Sequence, residues 1–200
     1  MIVVGISGGI ASGKSFVSKI FAKSGAELFD ADKEVHDILV SDESVIRKIS
    51  KIFPDSINNG IVDRKKLGNI VFNSKSKLNK LEKILHPIVR KRYKRFFLKN
   101  KKDKKNIIVL DVPLLLEKGG YDCDVVIALI IPKKIQQARF LQRQEKYEKI
   151  SFFKKRFKQI TKLQLDNSSR KKLADFVINT SKPKGETVKV VKNIIKKLLK

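Results

Sequence analysis

The sequence predicts an α/β fold in which helices flank a five-stranded parallel sheet. Short apolar runs alternate with helical apolar stripes along the 200 residues, and this alternation is typical of parallel sheets. A glycine-rich loop follows the first apolar run, and a helical stripe follows the loop. The composition, 42% hydrophobic and 33% charged, indicates a globular chain with a sizeable core.

The first predicted strand and the loop after it carry the clearest motif. Residues 2–6 are apolar and mostly β-branched, and residues 8–15 read GGIASGKS, which fits G-x-x-x-x-G-K-[ST]. In such a loop, backbone N–H groups and the lysine bind phosphate oxygens, and the following hydroxyl binds Mg²⁺. A chance glycine-rich turn is the alternative, but the strand before the loop and the helical spacing after it favour a nucleoside triphosphate site. The candidate nucleotide-binding residues are Gly8, Gly9, Ile10, Ala11, Ser12, Gly13, Lys14, Ser15 and Phe16, with Lys14 also catalytic and Ser15 a metal ligand.

Residues 26–29 predict a second strand that leads into Asp30-Ala31-Asp32. Open α/β sheets bind ligands at the carboxyl ends of their strands. A carboxylate there could accept a hydroxyl proton or hold Mg²⁺ through water. Either aspartate could instead cap the helix that begins near Lys33. We expect one aspartate to cap this helix and the other to act in catalysis.

The pattern from residue 45 to about residue 100 is helical. Apolar stripes cover residues 45–53, 67–72 and 78–89. Asn58-Asn59-Gly60 predicts a turn, and Asp63 can cap the helix that follows. The lysine-rich residues 100–106 are expected to form a solvated loop that returns to the sheet.

The later strands bring further charged residues. Residues 107–110 predict a buried strand followed by Asp111, which could hold Mg²⁺ or cap the strand end. Residues 125–131 predict the fourth strand, and Pro132 opens a helix with Arg139 and Arg143 on one face. Two arginines beside a phosphate site can neutralise a transferring phosphoryl group, although solvated surface residues are the alternative.

The last third of the chain predicts a lid, a fifth strand and a final helix. Residues 144–170 are highly charged and helical with little apolar face, which is typical of a mobile flap. Residues 176–178 predict the fifth strand, and residues 188–198 carry the last apolar stripe. The predicted organisation is a single domain, residues 1–200, with a core of residues 1–55, 106–143 and 171–200, a helical insertion at 56–105 and a lid at 144–170.

The net charge of +26 could indicate a nucleic-acid partner. The lysines are spread along the whole chain, however, so we expect attraction of anionic ligands such as nucleotides and no dedicated nucleic-acid site. Cys123 is the only cysteine, which excludes an internal disulfide. Neither a signal peptide nor a membrane-spanning apolar run is evident, which favours a cytoplasmic protein without membrane contacts.

Several separate blocks of sequence resemble the dephospho-CoA kinase family, over almost the whole chain. The loop of residues 8–15 and Asp30-Ala31-Asp32 are similar to the family's phosphate loop and its D-A-D. Residues 60–72 and 81–90, which include Leu85-His86-Pro87, resemble its acceptor-binding helices. Residues 112–117 resemble its V-P-L-L-x-E, and residues 174–179 its late strand.

This resemblance implies a P-loop kinase with a helical acceptor-binding insertion and a helical lid. The implied reaction moves the γ-phosphate of ATP to the ribose 3′-hydroxyl of dephospho-CoA, with Mg²⁺ as cofactor. Implied residue roles are Asp32 as general base, His86, Leu116 and Glu117 as lining of the acceptor pocket, and Arg139, Arg143, Arg156 and Arg170 as lid arginines. Phe16 and His36 depart from the family's pattern, which usually has a small residue and often an arginine there. A nucleoside or nucleotide kinase and a basic nucleic-acid-binding ATPase are the alternatives.

Overall fold

The computed structural model describes residues 1–72, 74–143 and 150–200. The strands, in chain order, are β1 (Ile2–Gly8), β2 (Glu27–Asp30), β3 (Ile57–Asn58), β4 (Ile61–Val62), β5 (Ile107–Asp111), β6 (Val125–Ile130) and β7 (Phe176–Asn179). The helices are α1 (Lys14–Lys23), α2 (Ala31–Ser41), α3 (Glu43–Ile52), α4 (Arg64–Phe72), α5 (Lys75–Lys102), α6 (Leu115–Lys118), α7 (Lys133–Gln142), α8 (Ile150–Lys162), α9 (Asn167–Lys172) and α10 (Lys184–Leu198).

The main sheet confirms the predicted α/β fold. Over the described residues it has five strands in the order β2-β5-β1-β6-β7. β1 pairs in parallel with β5 and β6, with Ile2 opposite Ile107 and Val4 opposite Val125, and β6 pairs in parallel with β7. β1 is central and buried along nearly its whole length, which explains why its sequence is a continuous apolar run instead of an alternating one.

The chain divides into two compact units, residues 1–29 with 100–200, and residues 30–99. The first unit contains nearly all of the main sheet. One face of the sheet packs against α1 and α10, and the buried residues of this core cluster are Val4, Ile6, Val17, Ile20, Phe21, Ile107, Val109, Ile127, Leu129, Ile178, Val191, Ile194 and Ile195. On the opposite face, Gly5 leaves room for Cys123, because a Cβ on Gly5 would lie 2.7 Å from Sγ. Burial raises the pKa of the Cys123 thiol to about 11, helped by Asp124 and Asp122.

The second unit is helical, as predicted, apart from a short hairpin. β3 and β4 pair antiparallel, with Ile57 opposite Val62, around the predicted turn at Asn59 and Gly60. Both turn residues have positive φ, 49° and 77°, as tight hairpin turns of this kind require. Two-residue strands are too short for an alternating pattern to be recognised in the sequence, so only the turn was predictable.

The predicted aspartate caps are confirmed at Asp30 and Asp63. The Asp30 carboxylate accepts a hydrogen bond from the N–H of Lys33, 3.1 Å away, at the start of α2. Asp63 accepts bonds from the N–H groups of Lys65 and Lys66, at 2.9 and 3.0 Å. These bonds hold the pKa of the Asp63 carboxyl below its usual value.

The prediction of a solvated loop over residues 100–106 is wrong at its start. α5 continues to Lys102, and Asn100 is only 4% exposed, so the connection to β5 comprises residues 103–106 alone. The N–H of Lys105 bonds to the carbonyl of Asn100 and closes the turn at the helix end. The surrounding lysines gave this stretch a uniformly polar sequence that concealed one buried position. None of the helices within the described ranges has the length and apolar character to cross a membrane.

The predicted lid has an apolar face that its composition concealed. Phe153 and Phe157 of α8 are buried and pack with Ala11 and Phe140 in a small second core. The ring centroids of Phe140 and Phe157 are 5.5 Å apart. The expectation of little apolar face over residues 144–170 is therefore wrong for α8, because its apolar residues recur at helical spacing between lysines. Residues 144–149 of the predicted lid lie outside the described residues.

We expect Phe157→Ala to lower the free energy of unfolding by about 3 to 5 kcal/mol, because it removes a buried ring and leaves a cavity. Phe157 is 1% exposed, whereas Phe152 on the same helix is 56% exposed. Phe152→Ala is the matched control and should cost about 1 kcal/mol or less. Urea denaturation measures both, and equal losses would contradict the packing of α8 described above.

Candidate active site

The loop between β1 and α1 has the backbone of a phosphate cradle. Gly13 precedes α1 with φ 89° and ψ 20°, a left-handed conformation that glycine adopts without strain. Ala11 also has positive φ, 57°. With these two residues in left-handed conformations, residues 9–13 curve around the N-terminus of α1. The first N–H groups of the helix have no partner within the helix there. An anion is stabilised at such an end by these donors and by the helix dipole.

A residue that the sequence did not indicate bonds to the backbone of the phosphate loop. Thr180, directly after β7, donates its hydroxyl to the carbonyl of Ser12 at 2.7 Å. Arg139 of α7 in turn donates to the carbonyl of Thr180 at 2.9 Å. The one available signal for Thr180 was its place after a predicted strand, at the edge of the sheet where ligands bind.

Lys14 and Asp111 form an ion pair at the centre of the site. Their Nζ and Oδ1 atoms are 2.5 Å apart, and the hydroxyl of Ser18 donates to Oδ2 of Asp111 at 2.9 Å. Lys14 and Ser18 lie one helical turn apart on α1, so both reach the same carboxylate. Asp111 is 7% exposed at the carboxyl end of β5. Ser15 is exposed on the first turn of α1, next to Lys14.

A second ion pair joins α6 to α9. Nη2 of Arg170 lies 2.9 Å from Oε1 of Glu117, and the N–H of Leu165 donates to the same oxygen at 2.9 Å. Arg170 is 3% exposed, and its Nε is buried without a hydrogen-bond partner among the described residues. The guanidinium also borders the phosphate loop, because a Cβ on Gly9 would lie 3.5 Å from Nη1.

The other candidate arginines have different surroundings. Arg139 is half-buried and donates the bond to Thr180 described above. Arg143 is exposed at the end of α7, and Arg156 is half-buried on α8. Of the four arginines, the structure therefore brings Arg170 to the phosphate loop directly and Arg139 through Thr180.

Phe16 packs into the core of the sheet beneath α1. It is half-buried against the cluster around α1 and α10, and the ammonium of Lys184 lies 5.9 Å from its ring centroid. The large ring that departs from the family's pattern thus packs against the outside of this core cluster. Leu116, the neighbour of Glu117 on α6, is half-buried as well.

Asp32 and His86 belong to the second unit. Asp32 is exposed in the first turn of α2, two residues after the cap formed by Asp30. His86 is exposed on α5, immediately before Pro87. His36, further along α2, has its Nδ1 3.0 Å from Nη1 of Arg64.

Comparisons with known proteins agree with one another. The family model described as dephospho-CoA kinase matches residues 2–184. The dephospho-CoA kinase of Anaplasma marginale is 40% identical over 98% of this chain and 85% of its own length. That of Bartonella quintana is 37% identical over the full length of both chains.

Solved structures show the same fold. The crystal structure of TT1252 from Thermus thermophilus superposes with a TM-score of 0.79 at 24% identity, over 98% of this chain and 97% of that one. Dephospho-CoA kinase from Campylobacter jejuni superposes with a TM-score of 0.65 at 25% identity, over 98% of this chain and 96% of that one.

We expect Glu117→Gln to lower the free energy of unfolding by about 3 kcal/mol, because it leaves the buried Arg170 guanidinium without its counter-charge. The matched control is Glu34→Gln, whose partner Arg92 and whose own side chain are 30% and 27% exposed. Solvent screens that pair, so the control should cost about 1 kcal/mol or less. Urea denaturation of both variants distinguishes the pairs, and a small loss for Glu117→Gln would show that Arg170 gains no stability from this carboxylate.

Proposed function

The chain belongs to the dephospho-CoA kinase family, and we propose that its phosphate loop and the first turn of α2 carry out the family's reaction. In that reaction the γ-phosphate of ATP passes to the ribose 3′-hydroxyl of dephospho-CoA, giving coenzyme A and ADP. The observation that carries the proposal is the family match over residues 2–184, which includes the complete GGIASGKS loop.

In this proposal the triphosphate would bind residues 8–15. Backbone N–H groups at the start of α1 would bind the β-phosphate, and Lys14 would bridge the β- and γ-phosphates. In doing so Lys14 would exchange the Asp111 carboxylate for phosphate oxygens, so its positive charge keeps an anionic partner throughout. The support for this placement is the left-handed turn at Gly13 and the position of Lys14 directly after it.

The residues around Asp111 fit a magnesium ion. Asp111 and Ser15 would hold it, because a carboxylate and a hydroxyl supply the oxygen ligands that Mg²⁺ takes alongside phosphate. The bound ion would neutralise charge on the β- and γ-phosphate oxygens during transfer. Ser18 would keep Asp111 oriented after Lys14 has moved to the phosphates, through the hydroxyl bond at 2.9 Å.

Asp32 is assigned the role of general base. Its carboxylate would accept the proton of the 3′-hydroxyl while that oxygen attacks the γ-phosphorus and the bond to the ADP oxygen breaks. Asp30 already accepts the cap bond from Lys33. The expected division between one cap and one catalyst therefore leaves the catalytic role to Asp32.

The remaining assignments follow the resemblance, weighed against the contacts of each residue. His86 and Leu116 would line the acceptor pocket. Glu117 would instead have a structural role, because its carboxylate is bonded to Arg170 and to the N–H of Leu165. Arg170, Arg139 and Arg143 would neutralise charge near the phosphates, with Arg170 next to Gly9 the strongest candidate.

The activity is tested by ADP release from ATP·Mg²⁺ with dephospho-CoA, AMP, other nucleosides and duplex DNA offered separately. We expect turnover with dephospho-CoA alone. Turnover with a nucleoside or AMP would favour a nucleoside or nucleotide kinase. Stimulation by DNA would favour a nucleic-acid-dependent ATPase and would contradict the expectation of no nucleic-acid partner.

We expect Asp32→Asn to lower kcat by a factor of about 100 or more, the scale of a positioned general base, with little change in ATP affinity. Steady-state kinetics and ATP binding measure the two effects. Asp37→Asn is the matched control, since it removes the same charge from the same helix, and its kcat should fall far less. A near-normal kcat for Asp32→Asn would remove Asp32 from the base role.

A further inference from the structure

Two glutamines from distant segments hold the peptide groups on either side of Ile10 in the phosphate loop. Nε2 of Gln136, on α7, donates to the carbonyl of Ile10 at 2.8 Å. The N–H of Ile10 donates to Oε1 of Gln164, between α8 and α9, at 3.0 Å. The orientation of each side-chain amide follows from its partner, because a backbone N–H can only donate and a carbonyl can only accept.

The segment that carries Gln164 is itself fixed to the core of the first unit. The N–H of Leu165 bonds to Glu117, and Nδ2 of Asn167 donates to the carbonyl of Ile131 at 2.8 Å. The buried Arg170 adds its ion pair with Glu117. Gln164 therefore reaches Ile10 from an anchored turn, which reduces the entropy lost in forming its bond.

Gly9 leaves the space that these two amides occupy. A Cβ on Gly9 would lie 2.5 Å from Nε2 of Gln136 and 3.2 Å from Oε1 of Gln164. Residue 9 is buried. Glycine at this second position of the motif is thus explained by the close approach of the two side chains.

We propose that Gln136 and Gln164 form an amide clamp, defined by their bonds to Ile10, that positions the phosphate loop for the triphosphate. Ile10 immediately precedes Ala11, whose positive φ starts the turn that directs the following N–H groups toward the N-terminus of α1. With both polar groups of Ile10 held, that turn has one orientation before the nucleotide arrives. The clamp also links α7 and the α8–α9 turn to the loop that receives the phosphates.

The inference rests on the proposed binding of the triphosphate to residues 8–15. Gln136 donates its hydrogen bond and Gln164 accepts its own, and this difference allows a test that distinguishes the loss of a hydrogen bond from a change of charge. Glutamate is close in shape to glutamine but can only accept, so Gln164→Glu keeps its bond and Gln136→Glu loses it. Lysine can only donate, so Gln136→Lys keeps its bond and Gln164→Lys loses it. Each bond-breaking variant therefore has a partner with the same charge change at the other glutamine.

The experiment measures the dissociation constant of ADP and of ATP·Mg²⁺ for these four variants, without dephospho-CoA. We expect Gln136→Glu to bind about tenfold more weakly than Gln164→Glu, and Gln164→Lys about tenfold more weakly than Gln136→Lys, the scale of one lost hydrogen bond with its partner left unsatisfied. In turnover assays the same pairs should differ in the KM for ATP and not in the KM for dephospho-CoA. Because nucleotide binding is measured without the acceptor, the result stands even if the panel of acceptors overturns the proposed reaction.

Two outcomes would overturn the amide clamp. One is an order set by charge alone, in which both glutamate variants bind nucleotide equally weakly and both lysine variants bind it equally tightly. The other is a difference in melting temperature without nucleotide and none in the dissociation constants, which would indicate a structural role only. If a bond-breaking variant does not fold, Gln136→Ala and Gln164→Ala replace it, and ADP affinity unchanged in both would count equally against the proposal.

Discussion

The parallel pairing of β1 with β5 and β6 determines where the groups of the first unit's site lie. Because parallel strands all point the same way, the residues that follow them meet at one edge of the sheet. β1 delivers the phosphate loop there, β5 ends in Asp111, and β7 leads to Thr180. The ion pair of Lys14 with Asp111 and the bond from Thr180 to Ser12 are both consequences of this shared edge. A shift in the register of β5 against β1 would therefore move Asp111 relative to Lys14.

Acidic side chains are scarce in this chain, 20 against 46 lysines and arginines, and many of them have definite structural tasks. Asp30, Asp42, Asp63 and Asp166 accept backbone bonds at helix starts. Hydrogen bonds hold the pKa values of Asp42, Asp63 and Asp166 below the usual range. A depressed pKa contributes stability that is present above the ordinary value and lost as the pH falls through the depressed one, so these caps favour the folded state at neutral pH. Asp111 and Glu117 supply the counter-charges of the half-buried Lys14 and the buried Arg170.

The parts of the structure that were predictable from sequence are those with a local pattern. Apolar runs marked the strands, the spacing of GGIASGKS marked the phosphate loop, and aspartates before helical stripes marked two caps. The apolar face of α8 was missed because lysines dominate its composition, and the burial of Asn100 because a single buried polar residue leaves no periodic signal. The contacts of Thr180, Gln136 and Gln164 with the phosphate loop join residues far apart in the chain, so no local pattern could indicate them. The base role of Asp32 stays a prediction, as do a cytoplasmic location and the absence of a nucleic-acid partner.

The close approach at Gly9 has a consequence for how this sequence can change over time. The second position of the phosphate-loop motif is formally unrestricted, yet here two side chains from distant parts of the chain occupy the space that a larger residue would need. A methyl group at position 9 would displace the Gln136 amide and crowd that of Gln164, unless position 136 had first become smaller. Substitutions at these three positions should therefore be correlated among relatives, and the order in which they arise should be constrained.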